Sequence, residues 1–312
     1  RLIPALEALQ EMLMEKSGQF WKIIKTGRTH LQDATPIRLG QEFLGYAQQI
    51  ERSLERVRYA EHELREVALG GTAVGTGVNT HPEFARRVCH ELSQLLGFSV
   101  KESEAHFQAQ NSLDAAVQAS GCLRTVAVSL HKIANDIRWM GSGPRAGLGE
   151  LNLPEVQPGS SIMPGKVNPV IPESTIQVTG QVIGNDTAVL QAGLGSFFEL
   201  NLMMPLAAHN LLQSIELLAA ASSNFTEQCV KGLQATTTGP DMVEKGLMLA
   251  TALAPAVGYD LAAEIAKEAA RSGRTIREVA REKTKLSEKE LDELLDPEKM
   301  TEPGLGGGPT SG

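Results

Sequence analysis

The sequence predicts an all-α fold: a bundle of long helices of the kind that packs side by side, followed by a small C-terminal helical domain. Three observations carry this reading. Apolar residues recur at helical spacing along most of the 312 residues. Strand signals are almost absent, because β-branched residues rarely alternate and aromatics make up only 4% of the chain. Small residues at Gly180, Gly184, Ala188, Ala192 and Gly195 return about once per helical turn, which lets helices approach closely, within one chain or between copies of it.

The elements follow in order. Leu2, Ile3, Leu6, Leu9 and Leu13 form an apolar stripe that predicts a helix over 1–25. Neither an initiator methionine nor a signal peptide precedes Arg1, so the reading is of a chain that starts inside a helix. A second helix is expected over 38–68, with Glu51, Arg52, Glu55, Arg56, Glu61 and Arg65 on a solvated face. The glycine-rich stretch 70–82 breaks the pattern and predicts a loop. Helices resume over 83–96 and 108–140. After the proline-punctuated segment 143–172 they return over 173–193 and 200–233. A separate unit begins near 239, where Thr275 with Glu278 and Ser287 with Glu290 have the spacing of capping boxes at the start of short helices. The domain reading is 1–238 for the bundle and 239–300 for the small domain. The glycine- and proline-rich tail 301–312 is expected to be disordered.

Composition narrows the function. A net charge of −8 argues against nucleic acid, whose phosphates require a basic surface. The most apolar region, 202–221, is interrupted by Pro205, His209, Asn210, Gln213 and Glu216, so no membrane span is expected. Cys89, Cys122 and Cys229 lie far apart, which suggests reduced thiols in a cytoplasmic compartment and neither a disulfide framework nor a zinc site. No cluster of histidine and carboxylate residues has ligand spacing, so neither a metal nor another cofactor is expected. The run 70–77 lacks the Gly-Lys-Ser/Thr ending of a phosphate-binding loop. His81 reads as a turn cap or a site residue. His62, His90, His106 and His131 fall in helical stretches, and His209 suits a helix interface.

The most informative segment is Gly-Ser-Ser-Ile-Met-Pro-Gly-Lys-Val-Asn-Pro at 159–169. Pro164 and Pro169 push the residues before them out of the helical region, and Gly159 and Gly165 permit backbone angles that other residues avoid. The result is a shaped loop in which hydroxyl, ammonium and amide groups all donate hydrogen bonds, as a carboxylate requires. From the residues alone it is either an anion-holding loop or a polar connector between two helices.

This loop resembles the signature of the fumarase and aspartase superfamily, and within it the class II fumarases. Gly-Arg-Thr-His-Leu-Gln-Asp-Ala-Thr-Pro at 27–36 and the block 70–84 match in the same order. So do Lys132–Arg138, Ser142–Arg145 and Phe198–Asn201. The resemblance implies a small dicarboxylate substrate, with fumarate hydrated reversibly to malate. It implies a homotetramer whose sites draw on several subunits, and a further N-terminal segment with no counterpart in these residues. It assigns Ser160 as the base that takes the carbon proton. His30 handles the departing or attacking water, with Glu173 as its acidic partner. Lys166 and Asn168 face the charge that develops on the carboxylate, and Thr29, Ser161 and Val167 complete the substrate site. His30 and Gly165 lean toward expulsion of water. Asn152–Pro158 and Val170–Glu173 are shared with aspartases, which expel ammonia. A non-catalytic helical assembly module stays open as a third reading.

Overall fold

The computed structural model describes residues 1–157, 159 and 162–304. Helix α1 (Leu2–Gln19) leads into strands β1 (Ile24–Thr29) and β2 (Gln32–Arg38), and α2 (Leu39–Glu63) follows. Strand β3 (Glu66–Val67) pairs in parallel with β4 (Lys101–Glu102) on either side of α3 (Phe84–Leu96). Next come α4 (His106–Asn111), α5 (Asp114–Met140), β5 (Leu151–Asn152) and α6 (Val170–Gly193). A small hairpin of β6 (Ser196–Phe197) and β7 (Leu200–Asn201) connects to α7 (Met204–Gln228). Strand β8 (Gln234–Ala235) returns to pair with β5. The remainder is α8 (Thr238–Val243), α9 (Ala254–Val257), α10 (Tyr259–Ser272), α11 (Ile276–Lys283) and α12 (Glu288–Leu294), with 3-10 turns at Leu247–Leu253 and Lys299–Thr301.

The long helices broadly follow the apolar period, and the structure departs from the sequence reading at several places. The helix expected over 1–25 ends at Gln19. Its stripe stops after Leu13, and Ile24–Thr29 forms a strand instead. The helix expected over 108–140 is interrupted between α4 and α5, where Ser112 Oγ accepts from the Asp114 N–H at 3.2 Å and so caps a fresh helix start. Thr301, expected to open a disordered tail, is 9% exposed, and its carbonyl accepts from Gln41 Nε2 at 2.8 Å. Residues 305–312 of that tail lie outside the described residues. Pro172 sits within the first turn of α6, where its missing N–H has no partner to lose.

The chain divides into two compact units. The first comprises Arg1–Glu11, Ala47–Ile137 and Glu155–Val230. Its core is largely aliphatic, with Leu6, Ile50, Val126, Leu130, Ile133, Val189 and Leu218 fully buried alongside the ring of Phe225. Polar groups are paired within it. Asp186 on α6 accepts from Ser120 Oγ at 2.7 Å and Arg124 Nη1 at 2.6 Å, and Asn185 Nδ2 donates to Gln213 Oε1 and Ser214 Oγ on α7. Helix α7 runs back along α6, and Asn201 Nδ2 ties the connecting hairpin to the Ala192 carbonyl at 2.9 Å.

The second unit comprises Met12–Tyr46, Arg138–Pro154 and the chain from Lys231 onward. Phe20, Phe43 and Tyr46 pack edge to face. A cluster built from Val243, Leu249, Leu253, Ile265, Ile276, Val279, Leu291 and Leu295 forms the core of its C-terminal helices. Both capping boxes are present. Thr275 Oγ1 accepts from the Glu278 N–H while Glu278 Oε2 accepts from the Thr275 N–H at 2.8 Å, and Ser287 and Glu290 repeat the arrangement.

These caps yield a prediction. The backbone N–H of Thr275, then its hydroxyl, holds the Glu278 carboxyl below its ordinary value of 4.5, and the hydroxyl and then the backbone of Ser287 do the same for Glu290. Because the folded values lie below the unfolded one, the ionised caps favour folding. Their contribution is complete above about pH 4.5 and vanishes as the pH falls through the folded values. Thr275→Ala and Ser287→Ala are each expected to cost about 1 kcal/mol in urea unfolding near neutral pH. The difference from the unmutated protein should shrink on acidification, and a pH-independent difference would contradict this account.

Candidate active site

Strands β1 and β2 pair antiparallel with Thr29 opposite Gln32, which leaves His30 and Leu31 as a two-residue turn. Both have positive φ, 56° and 60°. That is the signature of a type I′ turn, whose favoured residues are Asn and Gly. A histidine followed by a leucine has neither advantage, and each left-handed residue costs about 1–2 kcal/mol. The strained turn leaves Thr29 and His30 exposed at the tip.

Below the turn the hairpin is tightly constrained. The ladder shifts register between Thr26 and Arg28, and a Cβ on Gly27 would lie 2.7 Å from the Thr35 carbonyl oxygen, so only glycine fits the bulge. Lys25, 2% exposed, extends from β1 to Glu42 Oε2 and Glu150 Oε2, both at 2.9 Å. Arg28 clasps Glu150 with two hydrogen bonds of 3.1 and 2.8 Å. Burial works to lower the Arg28 pKa, but the Glu150 hydrogen bond and the Glu150, Asp33 and Glu42 charges outweigh it and raise the pKa above its ordinary value. Sequence reading missed Lys25, Glu42 and Glu150. The available signal was a lysine at a buried strand position, which demands an anionic partner without identifying it.

In the first unit, Met163-Pro164-Gly165-Lys166 makes a turn closed by the Lys166 N–H on the Met163 carbonyl at 3.2 Å. Proline second and glycine third with φ 79° is what a type II turn requires. The Lys166 carbonyl lies against Gly159, so close that a Cβ there would collide with it, and the two ends of the loop meet. Lys166 and Val167 are exposed and Asn168 is half-buried, three consecutive residues on one face-out segment that leads into α6. Glu173 stands in the first turn of α6, with its N–H on the Pro169 carbonyl at 3.0 Å. Ser160 and Ser161 lie outside the described residues.

The glycine-rich stretch from Gly70 to Gly77 lies on α4. Gln110 Nε2 donates to the Ala73 carbonyl at 2.8 Å, and a Cβ on Gly75 would lie 3.0 Å from the Phe107 ring. His81 Nδ1 accepts from the Glu83 N–H at 3.1 Å, a turn-capping contact ahead of α3. Among the described residues no group of three or more histidine, cysteine or carboxylate side chains is placed to hold a metal, and no helix is long and apolar enough to cross a membrane. Burial pushes the Cys229 thiol up to about 12, so it is not a nucleophile near neutral pH.

The turn strain is measurable. Leu31→Gly relieves one left-handed residue at the usual entropic cost of glycine, so a net gain of about 0.5–1 kcal/mol in unfolding free energy is expected. Loss of stability in urea titration would show that the turn is not strained at Leu31.

Comparison with known proteins identifies the family. The family model described as lyase matches residues 1–184, and the one for the fumarase C C-terminus matches residues 249–302. Fumarate hydratase class II of Nitrosomonas europaea is 51% identical over 97% of this chain and 66% of its own length. Its counterpart from Neisseria meningitidis is 50% identical over the same shares. The crystal structure of recombinant class II fumarase from Schistosoma mansoni superposes with a TM-score of 0.93 at 38% identity, over 96% of this chain and 66% of that one. This chain thus spans just under two thirds of the length of these relatives. On the strength of the matched blocks, the shared fold and this degree of identity, the chain belongs to the lyase family, among the class II fumarases.

Proposed function

We propose that the protein catalyses the reversible hydration of fumarate to L-malate by anti addition of water. The observation that carries this reading is the exposed imidazole of His30 on a strained turn, in a chain half identical to proteins named fumarate hydratase class II. The named relatives favour water over ammonia as the leaving group, which weakens the aspartase alternative.

In the dehydration direction Ser160 Oγ, as an alkoxide, takes the proton from the carbon beside a carboxylate. The electron pair of that C–H bond passes into the carboxylate as an aci-acid. Fixed donors aimed at those oxygens supply the main stabilisation, and Lys166 and Asn168 are the donors. The aci-acid collapses to the double bond as the C–O bond on the neighbouring carbon breaks, and His30 protonates the departing hydroxide to water. Base and acid act on opposite faces, hence the anti course. Thr29 and Ser161 hold substrate carboxylate, Val167 lines the site, and Glu173 orients the His30 ring. No metal or other cofactor takes part. The working protein is a homotetramer in the cytoplasm, with sites assembled from more than one subunit.

Ultraviolet absorbance of fumarate tests the reading with L-malate or L-aspartate as substrate. Turnover of malate is expected. Ser160→Ala should abolish it with the fold intact, and His30→Asn should lower kcat by about 10²–10⁴. Turnover of aspartate alone would overturn the reaction assignment, near-normal rates in Ser160→Ala would overturn the base, and no turnover by the native assembly would favour a structural role.

A further inference from the structure

Glu150 has no part in the chemistry above, yet it is 4% exposed and cations of the His30 hairpin engage both of its carboxylate oxygens. Oε1 accepts from Arg28 Nη2 at 2.8 Å. Oε2 accepts from Arg28 Nη1 at 3.1 Å and lies 2.9 Å from Lys25 Nζ. A two-pronged pair of this kind fixes the plane of the guanidinium as well as its position, which a point charge does not do. Arg28 immediately precedes Thr29 and pairs with Asp33 next to the turn.

The anchor is itself held. The Glu150 N–H donates to the Met140 carbonyl at 2.8 Å, its carbonyl accepts from the Thr236 N–H at 3.0 Å, and Thr236 Oγ1 donates to the adjacent Gly149 carbonyl at 2.6 Å. Gly239 of α8 closes over the pair, where a Cβ would lie 3.3 Å from Lys25 Cβ and 3.9 Å from Glu150 Cγ. Three segments of the second unit thus fix one carboxylate, and that carboxylate fixes the strand leading into the turn. A left-handed turn built from residues with no preference for that conformation persists only where its surroundings over-determine it.

We propose that Glu150 is a positioning residue for the hydration reaction, holding the His30 turn in its left-handed, exposed geometry through Arg28. The inference rests on the reading of His30 as the group that handles water. A misplacement of about 1 Å at a reacting group costs on the order of 10² in rate.

The test compares Glu150→Gln, Glu150→Asp, His30→Asn and the Glu150→Gln/His30→Asn double variant, each in its native assembly. The readouts are kcat and KM for malate and amide hydrogen exchange resolved to peptides. Glu150→Gln should lower kcat about 10²-fold with KM within about three-fold, and Glu150→Asp should recover part of the loss. The double variant should be no slower than His30→Asn, because Glu150 acts through that imidazole. Exchange should rise across 24–38 and stay unchanged in α6 and α7. Unchanged kcat in Glu150→Gln, multiplying losses in the double variant, or a uniform rise in exchange would each overturn the proposal. If the unmutated protein fails to turn over malate, the hydration reading falls. The exchange measurement then decides by itself whether Glu150 holds the turn: a selective rise upholds that function and a uniform one refutes it.

Discussion

The second unit depends on four charges that balance one another. Lys25 and Arg28 on one side, Glu42 and Glu150 on the other, sum to zero in a region where the lysine and Glu150 are almost without solvent. Desolvation makes such a group a poor source of stability, since an apolar set of similar volume often does as well or better. What apolar side chains do not supply is direction. The Arg28–Glu150 fork has one good geometry, and the hairpin that carries Arg28 inherits it. A two-stranded hairpin is marginal by itself. This one gains a fixed orientation from a carboxylate whose own backbone is hydrogen-bonded at both its N–H and its carbonyl.

The first unit solves a different problem by different means. The described stretch of its loop, 162–169, leaves the Lys166 side chain exposed and buries no charge. Proline and glycine form a turn at little cost, the two ends of the loop meet where glycine leaves room, and α6 starts directly behind. Donors held in place before a reaction stabilise developing charge without reorganising at the moment it forms. The helices behind the loop are kept in register by paired polar groups, Asp186 with Ser120 and Arg124, and Asn185 with Gln213 and Ser214. Left unpaired, each would carry a desolvation penalty, so they disfavour sliding of one helix along another.

Legibility in the sequence followed the range of the interactions. Helices α2, α3, α6 and α7 were readable because a 3.6-residue apolar period is local, and the capping boxes because their partners are three residues apart. The β1–β2 hairpin was not, since Lys25 and Arg28 contradict the apolar-in pattern of a strand. They make sense only beside Glu150, 122 residues beyond Arg28. The break before α5 rests on one hydroxyl, Ser112, and Thr301 is held by Gln41, 260 residues away. Thr29, His30, Lys166, Asn168 and Glu173 were readable as candidates for another reason: they lie in blocks whose wording is specific. Glu150 lies beside such a block, and nothing in its own neighbourhood in the sequence signals a salt bridge.

The two turns of the candidate site make an instructive contrast. Pro164-Gly165 obeys the local rules, and its backbone is what those residues prefer. His30-Leu31 breaks them, although Asn-Gly would give the same hairpin at lower energy. A sequence that satisfies its turn chemistry in one place and forgoes it in another is not poorly adapted throughout; departures of this kind concentrate where a side chain is needed for something besides folding. At Gly165 the backbone is the useful part, and any residue that permits the turn will serve. At His30 the proposed role belongs to the side chain, and the strand leading into the turn is anchored by the Arg28–Glu150 pair.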